Sequence, residues 1–318
     1  MEHKNFKKPN LFLAGQPRCG TSALHNFLDQ HPEIFMSPAK EPHHFCKDII
    51  EESDAFYKSR KYYLKYRNDS DYLALFKGAV NEKIIGESTA NYLYSEVSAE
   101  EIYKFNPDAK IVMILREPVS FLYSWYGYLL SRLQEDAESF EKALQLEQKR
   151  KTGENIPQTI EAPSRLYYSE RIKYKQHLER FFRLFDNSRI KVIIYEDFKR
   201  NNQKVYKNIL EFLNVDSNFT PDFSIINKRK NARHPKLNRL LLNPFLTKIL
   251  LTIVPVRLRA KIKQLLNKIL FSGKPKGEIN PQLRKKLMMQ YKPQVVEISS
   301  LLNIDLVKKW GYDKKDLK

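Results

Sequence analysis

Glycine is scarce in this chain, nine residues in 318, yet two of the nine, Gly15 and Gly20, bound one six-residue stretch. Cysteine is scarcer still. Cys19 and Cys46 are the whole complement, which excludes a disulfide framework and suits a reducing compartment. No apolar run reaches the ~18 residues of a membrane span. Residues 1–10 are lysine-rich and lack the apolar core of a secretion signal, so the expected address is the cytoplasm. No cluster of His, Cys, Asp and Glu has metal-ligand spacing, and no metal is expected. Acidic residues are missing from Phe223 to Gly277, where 14 Lys and Arg stand unopposed in a chain of net charge +19.

Around the paired glycines, Leu11–Ala14 is an apolar run suited to a buried strand, and Ala23–Leu28 has helical apolar spacing. A strand, a glycine-bounded loop and a helix N-terminus aim backbone N–H groups and the positive end of a helix dipole at one spot, which suits an anion. A nucleoside-triphosphatase loop needs lysine directly after its second glycine. Thr21 holds that place here, and the loop's own cation is Arg18. The loop therefore fits a 5′-phosphate better than Mg²⁺-ATP.

Further strand-like runs, Ile84–Gly86, Ile111–Leu115 and Ile190–Tyr195, alternate with helix-like segments at Phe121–Leu133, Tyr168–Phe185 and Val205–Leu213. Ser98 with Glu101 predicts a capping box ahead of Ile102–Phe105. The alternation predicts an α/β fold with a parallel sheet covered on both faces, in one domain over 1–318. A basic amphipathic helical insert is expected at about 237–277. Its Leu258, Ile262, Leu265, Leu266, Ile269 and Leu270 fall on one face among lysines and arginines. Such a helix packs on its own domain, lies on an anionic membrane or grips a polyanion. Few aromatics in it could stack bases, so nucleic acid is not an expected partner.

Two more strand ends carry charge. Arg116 follows Ile111–Leu115, where open α/β sheets place ligands. Pro118 suits the first turn of the next helix, which would carry Ser124 nearly two turns in. An arginine with a helix hydroxyl makes a second anion site. Glu87 ends the Ile84–Gly86 run. A carboxylate beside two phosphate sites suits proton abstraction better than nucleotide binding.

Taken in register, these elements resemble the sulfotransferases that use 3′-phosphoadenosine 5′-phosphosulfate (PAPS), above all the bacterial and heparan-sulfate-type carbohydrate enzymes. Gly15–Ser22 is similar to the family's 5′-phosphosulfate loop, and Arg116 with Ser124 to its 3′-phosphate motif. Lys40-Glu41-Pro42-His43-His44-Phe45 resembles a run near the acceptor, and Gly86–Tyr92 a segment carrying the glutamate base. Tyr195–Asp197, Glu211–Leu213 and Asn280–Trp310 match further landmarks. The resemblance covers roughly 8–235 and 278–312. Arg18 stands where lysine is common, and His44 replaces a phenylalanine.

The resemblance implies a P-loop-like central parallel sheet flanked by helices, PAPS as donor, PAP as product and no metal. Pro17, Arg18, Cys19, Gly20, Thr21 and Ser22 would hold the 5′ end. Arg116 and Ser124 would hold the 3′-phosphate, with Lys230 and Arg233 as further clamps. Glu87 would act as base with His43 in reserve, and Arg18 would meet charge on the leaving oxygen. Lys40, Glu41, His43 and Tyr92 would face the acceptor. That acceptor is a hydroxyl or amine, expected on a glycan or glycolipid, with peripheral membrane contact through 240–277. The oligomeric state is left open. An ATP-dependent kinase and a non-enzymatic polyanion or membrane binder are the rival expectations.

Overall fold

The computed structural model describes residues 7–57, 62–224 and 278–313, with the backbone of 231–232 and 271–272. The chain divides into two compact units, one of Met1–Phe121, Ser169–Asn227 and Leu287–Lys318, the other of Leu122–Tyr168 and Lys228–Lys286.

In the first unit, strands β1 (Leu11–Gly15), β2 (Ile34–Met36), β3 (Ile84–Ser88), β4 (Lys110–Leu115) and β5 (Ile190–Ile194) form one sheet in the order β2-β3-β1-β4-β5. All neighbours are parallel, with Leu11 opposite both Gly86 and Lys110, and Leu115 opposite Ile194. β1 and β3 are buried along their whole length, as a parallel sheet with both faces covered demands. Helices α1 (Thr21–Leu28), α2 (Lys47–Phe56), α3 (Asp69–Leu73) and α4 (Ser98–Phe105) precede β4. α5 (Pro118–Ser131) follows it, its first turn belonging to this unit.

The α/β expectation holds, and four of the five strands lie where the apolar runs place them. β2 escapes sequence reading because it is only three residues long. Two helical details differ. The helix at 98–105 begins at Ser98 itself, whose hydroxyl donates to the Tyr92 carbonyl at 2.5 Å instead of capping. The helix expected over Tyr168–Phe185 is broken. A single 3-10 turn at Glu170–Ile172 comes first, and helix proper runs only over Tyr174–Phe182. The break turns Arg171 inward, 1% exposed, with its guanidinium 3.6 Å over the Tyr94 ring.

The second unit holds α6 (Phe140–Gln145) and α7 (Glu147–Lys151), and a buried cluster ties α7 to the segments around Glu135 and Tyr168. Arg150 donates to both Glu135 oxygens at 2.7 and 2.5 Å, and the Tyr168 hydroxyl to the same carboxylate at 2.6 Å. Trp125 stacks on Tyr128 at 5.3 Å and donates to the Arg165 carbonyl at 2.8 Å. Of the basic stretch, Phe223, Ser224 and the antiparallel strand pair Asn231–Ala232 and Phe271–Ser272 are described. The helical insert expected at 237–277 otherwise lies outside the described residues. Returning to the first unit, α8 (Tyr174–Phe182), α9 (Tyr195–Arg200) and α10 (Asn202–Leu213) complete the sheet's cover. α11 (Pro281–Leu302) and α12 (Leu306–Lys309) end the described chain.

Candidate active site

The carboxyl ends of β1, β3 and β4 carry the charged residues that the sequence singles out, and β1 lies between the other two. In an open parallel sheet that edge is where ligands bind. The loop after β1 needs both glycines. A side chain on Gly15 would come within 2.5 Å of Leu93 Cβ, and Gly20 has φ +90° with the Phe198 ring 3.0 Å from where a Cβ would stand. Gly20 is also the N-cap of α1, so the tight turn hands the chain directly to a helix whose first N–H groups lack intrahelical acceptors.

Thr21 and Ser22 form the first turn of that helix. The Lys40 ammonium donates to the Ser22 hydroxyl at 2.5 Å. Burial lowers the Lys40 pKa, and the Glu41 carboxylate works the other way. His25, behind the same turn, is pushed down to about 4 by burial and then by Lys40, so it adds no charge. The resemblance implies that Lys40 faces the acceptor; the fold brings its ammonium to Ser22, in the first turn of α1, a contact that spacing alone could not show.

Arg116 follows β4, where its Nη1 donates to the Arg18 carbonyl at 3.4 Å and its guanidinium lies 4.9 Å over the Tyr195 ring. Its carbonyl accepts from the Tyr174 hydroxyl at 2.9 Å. Its Nε is buried and makes no hydrogen bond among the described residues. A buried arginine donor left over is one an anion can take up.

Glu117, next in the chain, carries no signal of its own in the sequence. Its carboxylate caps α5 by accepting from the N–H groups of Val119 and Ser120, each at 2.8 Å, and takes the Tyr312 hydroxyl at 2.6 Å. Trp310 Nε1 in turn donates to Glu196 at 2.9 Å. The C-terminal stretch thus braces the turn that presents Arg116. Ser124 lies further along α5, in the second unit. Lys230 and Arg233 lie outside the described residues.

Glu41, His43, Glu87 and Tyr92, which the resemblance places near the acceptor, lie on β3 and the segments after β2 and β3. Arg18, Glu41 and His43 have φ of 64°, 55° and 59°. Non-glycine residues in the left-handed region are uncommon, and such strain concentrates at functional sites. Glu41 Oε2 accepts from the Ala90 N–H at 3.0 Å, with the side chain 37% exposed. Glu87 is 0% exposed. It accepts from Tyr92 at 2.5 Å, Thr89 at 2.8 Å and Tyr72 at 3.2 Å. Burial raises its pKa to about 7 against the pull of those hydrogen bonds.

Tyr92 is itself fully buried, so its hydroxyl serves Glu87. His44 stacks on Tyr72 with centroids 4.1 Å apart and planes 3° apart. The imidazole thus packs as an aromatic ring. Cys19 is buried and unbridged, and its thiol donates within the loop to the Pro17 carbonyl at 3.5 Å. No candidate metal cluster occurs among the described residues. None of the described helices is long and apolar enough to cross a membrane.

A sequence profile described as "Sulfotransferase family" matches residues 9–221. Human carbohydrate sulfotransferase 15 is 26% identical over 278 residues, covering 72% of this chain and 48% of that protein. Human bifunctional heparan sulfate N-deacetylase/N-sulfotransferase 3 is 27% identical over 214 residues, covering 65% of this chain and 22% of that protein. The chain thus spans about half or less of the length of these relatives. A crystal structure of a sulfotransferase from Alicyclobacillus acidocaldarius superposes with a TM-score of 0.67 at 27% identity, covering 94% of this chain and 97% of that one. With a profile match that takes in the whole five-stranded sheet and its anion loop, the chain belongs to the sulfotransferase family.

Proposed function

We propose that this protein transfers a sulfuryl group from PAPS to a hydroxyl or amine of a glycan or glycolipid. The observation that carries this reading is the contact of Lys40 with Ser22. A triphosphatase loop takes its ammonium from the position after the second glycine. Here the ammonium comes from a segment that also carries Glu41 and His43, so one stretch of chain charges the donor loop and furnishes the acceptor side. The carbohydrate and heparan sulfate names of the relatives support a saccharide acceptor.

PAPS would supply the transferable group and the anionic leaving group. The N–H groups of 18–22, the Thr21 and Ser22 hydroxyls, Arg18 and Lys40 would hold its 5′ end. The buried, unpaired Nε of Arg116 fits a second phosphate, the feature that separates PAPS from ATP. Positioning and charge stabilisation are what the protein must provide in such a transfer. Arg18 cannot readily release a proton, so it stabilises charge and does not act as an acid. Of the two carboxylates, exposure favours Glu41 as the group that takes the acceptor's proton. Glu87 lies beneath it and holds Tyr72, Tyr92 and Thr89. We read the charge of 240–277 as peripheral contact with an anionic membrane in a cytoplasmic setting.

Thermal shift with PAP against Mg²⁺-ATP, followed by labelled PAPS with a panel of saccharides, tests the proposal. Stabilisation by PAP and label on a glycan are expected. Stabilisation by Mg²⁺-ATP alone would restore the kinase alternative.

A further inference from the structure

The two ring nitrogens of His43 have partners that leave one choice of proton position. Nδ1 lies 2.5 Å from the Glu41 carbonyl oxygen. A carbonyl only accepts, so the proton sits on Nδ1. Nε2 lies 3.0 Å from Asn91 Nδ2. That amide is itself oriented, because Asn91 Oδ1 accepts from Arg171 Nη1 at 3.2 Å. A guanidinium has donors alone, so the Asn91 NH₂ must face His43 and Nε2 must accept. Both ends of the ring therefore require the same neutral tautomer.

We propose that Asn91 and Arg171 are positioning residues that hold His43 as the uncharged Nδ1–H imidazole, leaving Glu41 to receive the acceptor's proton. A proton on Nε2 would confront the Asn91 NH₂, and turning the amide over would press that NH₂ against the Arg171 guanidinium. Among the described residues, three more groups face the ring. Glu41 Oε2 is 3.8 Å from Nε2, beyond hydrogen-bond reach. Tyr63 offers its ring at 4.9 Å, and Thr89 accepts from the His43 backbone N–H at 3.4 Å. Arg171 also reaches the donor loop, since its carbonyl accepts from Gln16 Nε2 at 2.6 Å. The broken helix before α8 thus sets an acceptor-side ring and the PAPS loop from one residue. Only the consequence for proton transfer rests on the sulfotransferase reading; the tautomer stands apart from it.

The test is nitrogen NMR of the full chain labelled in its seven histidines, with His43→Gln assigning the His43 signals. Near neutral pH the unmodified protein should show a protonated Nδ1 and a bare Nε2. In Asn91→Asp, which keeps a partner for Arg171 and offers Nε2 an acceptor, a second N–H should appear. Turnover should fall while PAP affinity, read by calorimetry, stays. An Nε2–H tautomer or imidazolium in the unmodified protein overturns the proposal, even if the variant fails to fold. So does an Asn91→Asp protein with unchanged spectrum or unchanged turnover. The expected spectra in a protein that transfers no sulfuryl group would instead sink the functional reading and leave the tautomer standing.

Discussion

Lys40 Nζ donates to Ser22 Oγ at 2.5 Å across a separation of 18 residues. The contact brings to the first turn of α1 an ammonium that the loop lacks after Gly20. In the proposed reaction, donor binding and acceptor placement would then share one piece of backbone.

Replacing Lys40 by alanine should weaken PAP binding and slow turnover together. A hydrogen bond to a charged group contributes about 1.5–3 kcal/mol, which corresponds to roughly a ten- to hundredfold loss of affinity. Calorimetric titration with PAP checks the first part and PAPS turnover the second. Undiminished affinity would place the ammonium outside the donor site.

Arg116→Ala should cost a similar factor in PAP affinity and much less in affinity for an adenosine ligand without the 3′-phosphate. The pair of ligands separates a phosphate contact from a general loss of shape. Tyr312→Phe probes the brace behind it. Losing the hydroxyl on the Glu117 carboxylate should lower unfolding stability by about 1.5–3 kcal/mol, measured by urea denaturation, with a smaller effect on PAP.

Glu41→Gln should reduce turnover by about 10²–10⁴, the usual contribution of a general base, with PAP affinity kept. Glu87→Gln should retain more activity, since its carboxylate is enclosed by Tyr72, Tyr92 and Thr89. The reverse ranking would assign the proton to Glu87, as the sequence alone suggests.

Apolar runs made the parallel sheet legible because buried strands need them, and the paired glycines marked the loop because only they tolerate its turn and close packing. What stayed hidden depends on side chains crossing between elements. Lys40 reads as an acceptor residue until the fold sets it on Ser22. Glu117 looks like a mere neighbour of Arg116 until Tyr312, 195 residues away, lands on it. Arg171 sits in a stretch with helical periodicity, and only its contacts with the half-buried Tyr94 ring and the Asn91 amide show what it turns toward where the helix breaks. Glu87 ends an apolar strand as expected. Its burial, which decides what it can do, comes from aromatic rings on other elements.

That burial has a pH signature. Glu87 is raised from 4.5 to about 7, chiefly by desolvation, while Tyr92, Thr89 and Tyr72 pull it down. Between those two values the folded chain keeps a proton that the unfolded chain releases. The contribution is therefore fully present below about pH 4.5 and is lost as pH rises through about 7. Glu87→Gln has no proton to lose at this site. The stability of the unmodified protein relative to Glu87→Gln should consequently fall across that window, by roughly 3 kcal/mol. Chemical denaturation of both proteins at a series of pH values reads the difference directly and cancels the titration of groups they share. A flat difference would mean that the three hydrogen bonds offset burial completely, so that the carboxylate ionises inside the protein as easily as in water.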